Sequence, residues 1–79
     1  MEVIESMSRK ERVEALKGYI MANYESKGRD ELLKTFAYEY GLTLRLVQEY
    51  FDILKNVGLF MTLYNKERRT WLIRPKEEE

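Results

Sequence analysis

Cysteine and histidine are both missing from this sequence. Without cysteine there is no disulfide and no thiolate metal site, and the redox compartment leaves no trace. Without histidine the commonest general base and the commonest metal ligand are gone together. No apolar run approaches the roughly 18 residues that a membrane span requires, and the opening MEVIESMS is no signal peptide. An excess of one charge is lacking too. Fourteen basic residues stand against 14 acidic ones, so the chain has no overall field to attract nucleic acid, and any such case must rest on local clustering. With one proline and four glycines, the sequence shows no linker, and it has no internal repeat.

What is present argues for a packed domain. The chain has 79 residues, 44% of them hydrophobic, with three Phe, six Tyr and one Trp. That supports one small domain with a real core. A domain of this size buries only about 60% of its unfolded surface, so it is marginal unless well packed or paired. Abundant Glu, Lys, Arg and Tyr beside a single glutamine suit a thermophile. A soluble, cytoplasmic protein is the expectation.

Hydrophobic spacing divides the chain into three helices and a hairpin. Residues 1–7 carry Val3, Ile4 and Met7 without a period and read as an arm. Ser8 and Glu11 fit a capping box, in which hydroxyl and carboxylate each satisfy a free amide. Val13, Leu16, Ile20 and Tyr24 then recur at three- and four-residue steps, predicting a helix over 8–27 that Gly28 ends in a left-handed cap. Asp30 is the expected cap of a second helix over 30–40, with Leu33, Phe36, Ala37 and Tyr40 as its apolar stripe. Gly41 stops it. Thr43 caps a third helix over 43–57 whose buried side is Val47, Tyr50, Phe51 and Leu54, closed by Gly58. LFMTLY and RTWLIR around the polar NKER read as a β-hairpin over 59–74. Pro75 ends it, and residues 75–79 form an acidic tail. Tyr24, Tyr40 and Tyr50 fall on core faces, Tyr19, Tyr38 and Tyr64 are the candidates for exposure, and Trp71 is expected to cover the core under the hairpin or to sit at an interface. The fold class is mainly α with a small β-hairpin, α+β.

The stretch FAYEYGLTLRLVQEY carries the most meaning. Two helices that cross at a steep angle need a tight turn with a residue free to take positive φ, and Gly41 supplies it. Ala37 is small because the next helix passes close over it, Val47 fills the angle from the other side, and Phe36, Tyr40, Leu42 and Tyr50 complete the wedge. Here the sequence resembles the winged helix-turn-helix family, in particular small transcription regulators of archaea and their viruses. The resemblance spans residues 9–75 and is most specific in the Ala37–Gly41–Val47 spacing and in LKNVGLF, which looks like the usual passage from recognition helix into wing. It implies a third helix in the DNA major groove and a hairpin on the backbone or minor groove. It also implies a short strand between the first two helices, for which only Lys27-Gly28-Arg29 is available.

Carried over to this sequence, the groove-facing positions are Thr43, Leu44, Arg45, Gln48, Glu49 and Asp52. Arg45 suits guanine and Gln48 adenine, each through two hydrogen bonds. Thr43 suits a phosphate, Leu44 a thymine methyl, and Glu49 a cytosine amine. Asp52 reads better as part of a solvated face. Around the hairpin, Lys66, Arg68, Arg69, Arg74 and Lys76 oppose the single acid Glu67, a local charge of +4, and guanidiniums there are what phosphate contact needs.

The expected function is therefore sequence-specific double-stranded DNA binding by a transcriptional regulator. It acts as a homodimer, with the first helix and the arm as the dimer surface, and uses no cofactor. The alternative is a winged-helix module for protein contact, favoured by the neutral charge, by Leu44 and by the acids at 49 and 52. An enzyme is not expected, since no spacing of carboxylates, lysines or serines suggests a catalytic pair.

Overall fold

The computed structural model describes residues 7–76. Three helices, α1 (Arg9–Asn23), α2 (Arg29–Tyr40) and α3 (Leu44–Asn56), precede two strands, β1 (Phe60–Asn65) and β2 (Thr70–Pro75). This is the expected mainly helical chain with a small sheet, consistent with a winged-helix layout. Residues 1–6 of the expected arm over 1–7 and the three terminal glutamates lie outside the described residues.

Each helix starts differently, and the reasons are chemical. At α1 the capping box is formed: the Ser8 N–H donates to Glu11 Oε1 at 2.9 Å, and the Glu11 N–H donates to Ser8 Oγ at 3.2 Å. At α3 the Leu46 N–H donates to Thr43 Oγ1 at 3.1 Å. The start of α2 corrects the sequence reading. Its cap is Gly28, in extended conformation with φ −77°, and it has no side-chain cap hydrogen bond. Asp30 lies inside the first turn with Glu31, where both carboxylates favour the positive end of the helix dipole. Nor does Gly28 end α1, which stops at Asn23. The Asn23 carbonyl accepts from the Ser26 and Lys27 N–H groups at 3.1 and 3.2 Å, and its side-chain amide donates to the Tyr19 carbonyl at 2.9 Å. These bonds turn the chain four residues earlier than expected.

Gly28 is closely packed instead. A Cβ on it would lie 3.1 Å from Thr70 Oγ1 and 3.2 Å from the Trp71 carbonyl oxygen. The segment before α2 thus runs against β2, where the resemblance implies a third strand. Among the described residues the sheet has two strands only, β1 and β2, paired antiparallel.

The two other glycines at helix ends behave as expected. After α2, Gly41 takes φ 67° and the Leu42 N–H reaches back to the Ala37 carbonyl at 2.9 Å. After α3, Gly58 takes φ 88° while the Leu59 and Gly58 N–H groups donate to the Leu54 and Lys55 carbonyls at 3.1 and 3.0 Å. Both ends use one motif, in which a left-handed residue lets the chain satisfy orphan carbonyls and leave at an angle.

The core lies where the three helices meet the base of the hairpin. Leu16 and Ile20 come from α1, Leu32, Leu33, Phe36 and Ala37 from α2, and Val47, Tyr50, Phe51 and Leu54 from α3, with Phe60 and Ile73 from the strands. Leu32, fully buried, is an addition to the expected stripe of α2. Burying each large side chain contributes about 1.5–3 kcal/mol. The Tyr50 hydroxyl, inside this core, accepts from Arg12 Nη1 at 3.2 Å, so its polar end is not abandoned. Phe36 stacks on Tyr40 at 4.2 Å and meets Tyr19 at 5.7 Å. Tyr19, a candidate for exposure, is therefore half-buried. Burial, followed by the nearby Glu39 carboxylate, pushes its phenol above the ordinary value, and the Thr35 hydroxyl opposes that shift.

Candidate nucleic-acid interface

The exposed side of α3 follows from the way its other side is used. Val47, Tyr50, Phe51 and Leu54 are buried, so the residues between them on the helical wheel face solvent. Thr43, Leu44, Arg45, Gln48, Glu49 and Asp52 are all exposed. They form one continuous face, as the sequence reading expects. Leu44 is 36% exposed, an aliphatic group at the leading end of that face. Thr43 uses its oxygen as the helix cap and keeps its hydroxyl proton for another acceptor.

At the far end of the hairpin, residues 66–69 form the turn. Asn65 Oδ1 accepts from the Arg68 N–H at 2.8 Å, and Arg69 takes φ 55°, unusual for a residue with a side chain. Lys66, Glu67, Arg68 and Arg69 are exposed there. Only three of the five expected cations belong to this tip. Arg74 sits near the base of the hairpin, its guanidinium 5.5 Å over the Tyr24 ring and donating to the Ile73 carbonyl at 3.0 Å. Lys76 follows β2, and its N–H donates to the Leu59 carbonyl at 2.9 Å. The local charge of +4 is thus divided between the two ends of the ribbon.

The tip also has acidic neighbours that sequence distance conceals. Arg68 lines a groove of about 580 Å³ together with Asp30, Glu31 and Lys34 from the first turns of α2. Carboxylates and the arginine thus share one groove.

Trp71 does not cover the core. It is 42% exposed and lies edge-on to Tyr64, its partner in strand register, at 5.4 Å. The period of two explains this. Trp71 and Tyr64 share a face with Ile73 and Phe60, but the ribbon outruns the core before reaching them. Arg29 lies 5.8 Å over the Trp71 ring while its Nε donates to Asp30 Oδ1 at 3.3 Å. Neither Arg29 nor Lys55 belongs to the site expected from sequence, yet both lie beside Gln48 and Asp52. The signal available for Arg29 was its position next to a glycine at a helix start, which reveals nothing about a strand some forty residues later.

Among the described residues no group of His, Cys, Asp and Glu side chains could hold a metal ion. No described helix is long and apolar enough to cross a membrane. No family model, curated protein or solved structure matches the chain.

Proposed function

We propose that the chain is a winged helix-turn-helix regulator that binds double-stranded DNA with sequence preference. The observation that carries this reading is an exposed polar helix face, Thr43 to Asp52, on the same small body as an arginine-bearing hairpin tip. In this reading α3 enters the major groove. Arg45 donates to guanine and Gln48 pairs with adenine, and such a bidentate pair discriminates by about 1–3 kcal/mol. Lys66, Arg68 and Arg69 neutralise phosphates and fix the register without reading bases.

One module of this size makes few contacts, and a homodimer doubles them. The groove where α1 meets α3 suits self-association: about 430 Å³, with Val13 and Ile53 at its floor and Arg9, Lys10 and Glu14 at its rim. Two-fold pairing there sets cations of one copy against the carboxylate of the other. The experiment is a selection from random duplexes beside a mass measurement of the free protein. A palindromic enriched site, with half-sites about 34–36 Å apart, and a two-chain mass support the proposal. Absence of any enriched site defeats it.

A second reading keeps the fold and replaces the partner. Leu44, exposed at the leading end of α3, and the exposed acids Glu49 and Asp52 on the same face suit a protein partner. Undetectable binding to mixed duplex DNA at low salt favours this module over the regulator.

A further inference from the structure

The hairpin has two outer edges, and only one of them is covered. The Lys76 N–H donates to the Leu59 carbonyl, so the alternation of an antiparallel ladder makes Met61–Arg74, Leu63–Leu72 and Asn65–Thr70 its hydrogen-bonded pairs. The residues between them turn their backbone groups outward: Phe60, Thr62 and Tyr64 on β1, and Trp71, Ile73 and Pro75 on β2. Pro75 fits this, having no N–H to offer. On the β2 side the Trp71 carbonyl meets the segment at Gly28. On the β1 side, among the described residues, no backbone hydrogen bond from outside the hairpin reaches the strand. The sequence does not protect this edge either. Charged residues make up 35% of the chain, yet none falls between Asn56 and Asn65. Leu59, Met61 and Leu63 alternate along it at 38%, 39% and 46% exposure. An uncharged apolar edge without proline or bulge is a template for another strand.

We propose that β1 pairs with β1 of a second copy, antiparallel about a two-fold axis at Thr62, so that the two hairpins form one sheet. This register joins Thr62 to the partner's Thr62 and Phe60 to the partner's Tyr64. Every outward N–H and C=O of β1 then has a partner. Met61 meets the partner's Leu63 as a non-hydrogen-bonded pair, the kind in which side chains lie closer. On the other face threonine meets threonine and Phe60 meets an aromatic ring, pairings that stabilise sheets. Lys66 comes alongside the partner's Gly58, at the C-terminal end of α3, which attracts a cation. A second copy suits this edge better than a foreign strand, because one two-fold contact closes both open edges. A charged peptide, by contrast, finds no opposite charge along β1. The surface shares no residue with the α1–α3 groove, and it stands whether or not the chain binds DNA. A chain that uses both surfaces assembles beyond a dimer.

The chain has no cysteine, so a single introduced one reports on its neighbour. Thr62→Cys should cross-link into a disulfide-bonded dimer under mild oxidation. Hydrogen-bonded strand pairs hold their Cα atoms about 5.5 Å apart, within disulfide reach. Leu63→Cys should cross-link poorly, since its mate is displaced along the strand. Sedimentation of the wild type over a series of concentrations measures the association itself. Thr62→Pro removes an outward N–H that the hairpin does not use, and Leu63→Lys places a charge on the edge. Each should weaken association about tenfold or more, with thermal unfolding checking that the fold is kept. If Thr62→Pro does not fold, Leu63→Lys carries the comparison. Equal cross-linking at both cysteines overturns the proposed pairing. Association unchanged in the edge variants also overturns it and assigns the contact to the α1–α3 groove. A single-chain mass at every concentration overturns it together with the homodimer, and leaves DNA binding to its own test.

Discussion

The exposed face of α3 and the tip of the hairpin are both rich in charge, but they hold it in opposite ways. On α3 the cations Arg45 and Lys55 are balanced by Glu49 and Asp52, all exposed. At the tip Lys66, Arg68 and Arg69 face one acid of their own, Glu67. A balanced face gives little long-range attraction, so whatever it contributes to binding depends on fitting particular base edges. A cationic tip attracts any phosphate and fits none in particular. One small domain thereby separates preference from adhesion, on the proposed reading, and a neutral chain holds a basic end without becoming a basic protein.

The largest effect that bears on this contrast is expected from removing both tip guanidiniums. Arg68→Ala with Arg69→Ala should lower affinity for every duplex about tenfold or more at low salt and reduce the salt slope by roughly two. A filter or fluorescence titration at several salt concentrations measures both. Arg45→Ala should do the reverse. It is expected to remove about 1–3 kcal/mol of preference at one or two base pairs while leaving scrambled duplex almost unaffected, as competition between the two duplexes will show. An equal loss on all sequences places Arg45 on phosphate and dissolves the contrast.

Smaller effects sharpen it. Glu31→Gln removes an acid from the groove that Arg68 shares with the start of α2, and should raise affinity for any duplex about twofold at low salt, with the gain fading as salt screens it. A loss of affinity shows that Glu31 orders the tip instead of competing with DNA. The smallest effect is alkaline. Burial and the Glu39 carboxylate raise the Tyr19 phenol in the folded chain, so the unfolded chain releases that proton first as pH rises. The associated stability is present below pH of about 10 and is lost as pH climbs through the folded value. Denaturant titrations across that range should show a steeper decline for the wild type than for Tyr19→Phe.

How much of this was legible in the sequence varies with the range of the interaction. The capping box at Ser8, the cap at Thr43 and the turns at Gly41 and Gly58 depend on groups within six residues of each other, and local residue types reveal them. The exposed face of α3 was legible because a helix whose buried stripe is known must show its remaining residues to water. Gly28 was misread because its cause, the approach of Thr70 and Trp71, lies far along the chain. A glycine in a close packing contact and a glycine at positive φ look identical in one sequence. The core-covering reading of Trp71 fails because alternation gives the face of a strand but not where the core under it ends. Arg29 was missed for both reasons, since it becomes part of a surface only once β2 is laid beside the start of α2. The division of the basic cluster between tip and base came from the reach of a six-residue strand, which separates Arg69 from Arg74 along the ribbon.

The capping of the three helices shows the same conflict within the fold. Serine and threonine caps at α1 and α3 each satisfy an amide that α2 leaves to other partners. A Ser or Asp at position 28 would supply the missing cap, typically worth about 1 kcal/mol against alanine, but its Cβ would press on the β2 backbone. Docking the hairpin takes precedence over capping the helix.

The central claim is that α3 carries preference while the hairpin tip carries adhesion. It is tested most directly by the salt dependence of binding to the duplex enriched by selection and to its scrambled counterpart, for the wild-type chain and the Arg68→Ala, Arg69→Ala variant. The account predicts that the variant binds both duplexes more weakly and with a flatter slope, while the ratio of the two affinities stays within about threefold of the wild-type ratio. A ratio that collapses to one in the variant, or two slopes that do not change, contradicts it.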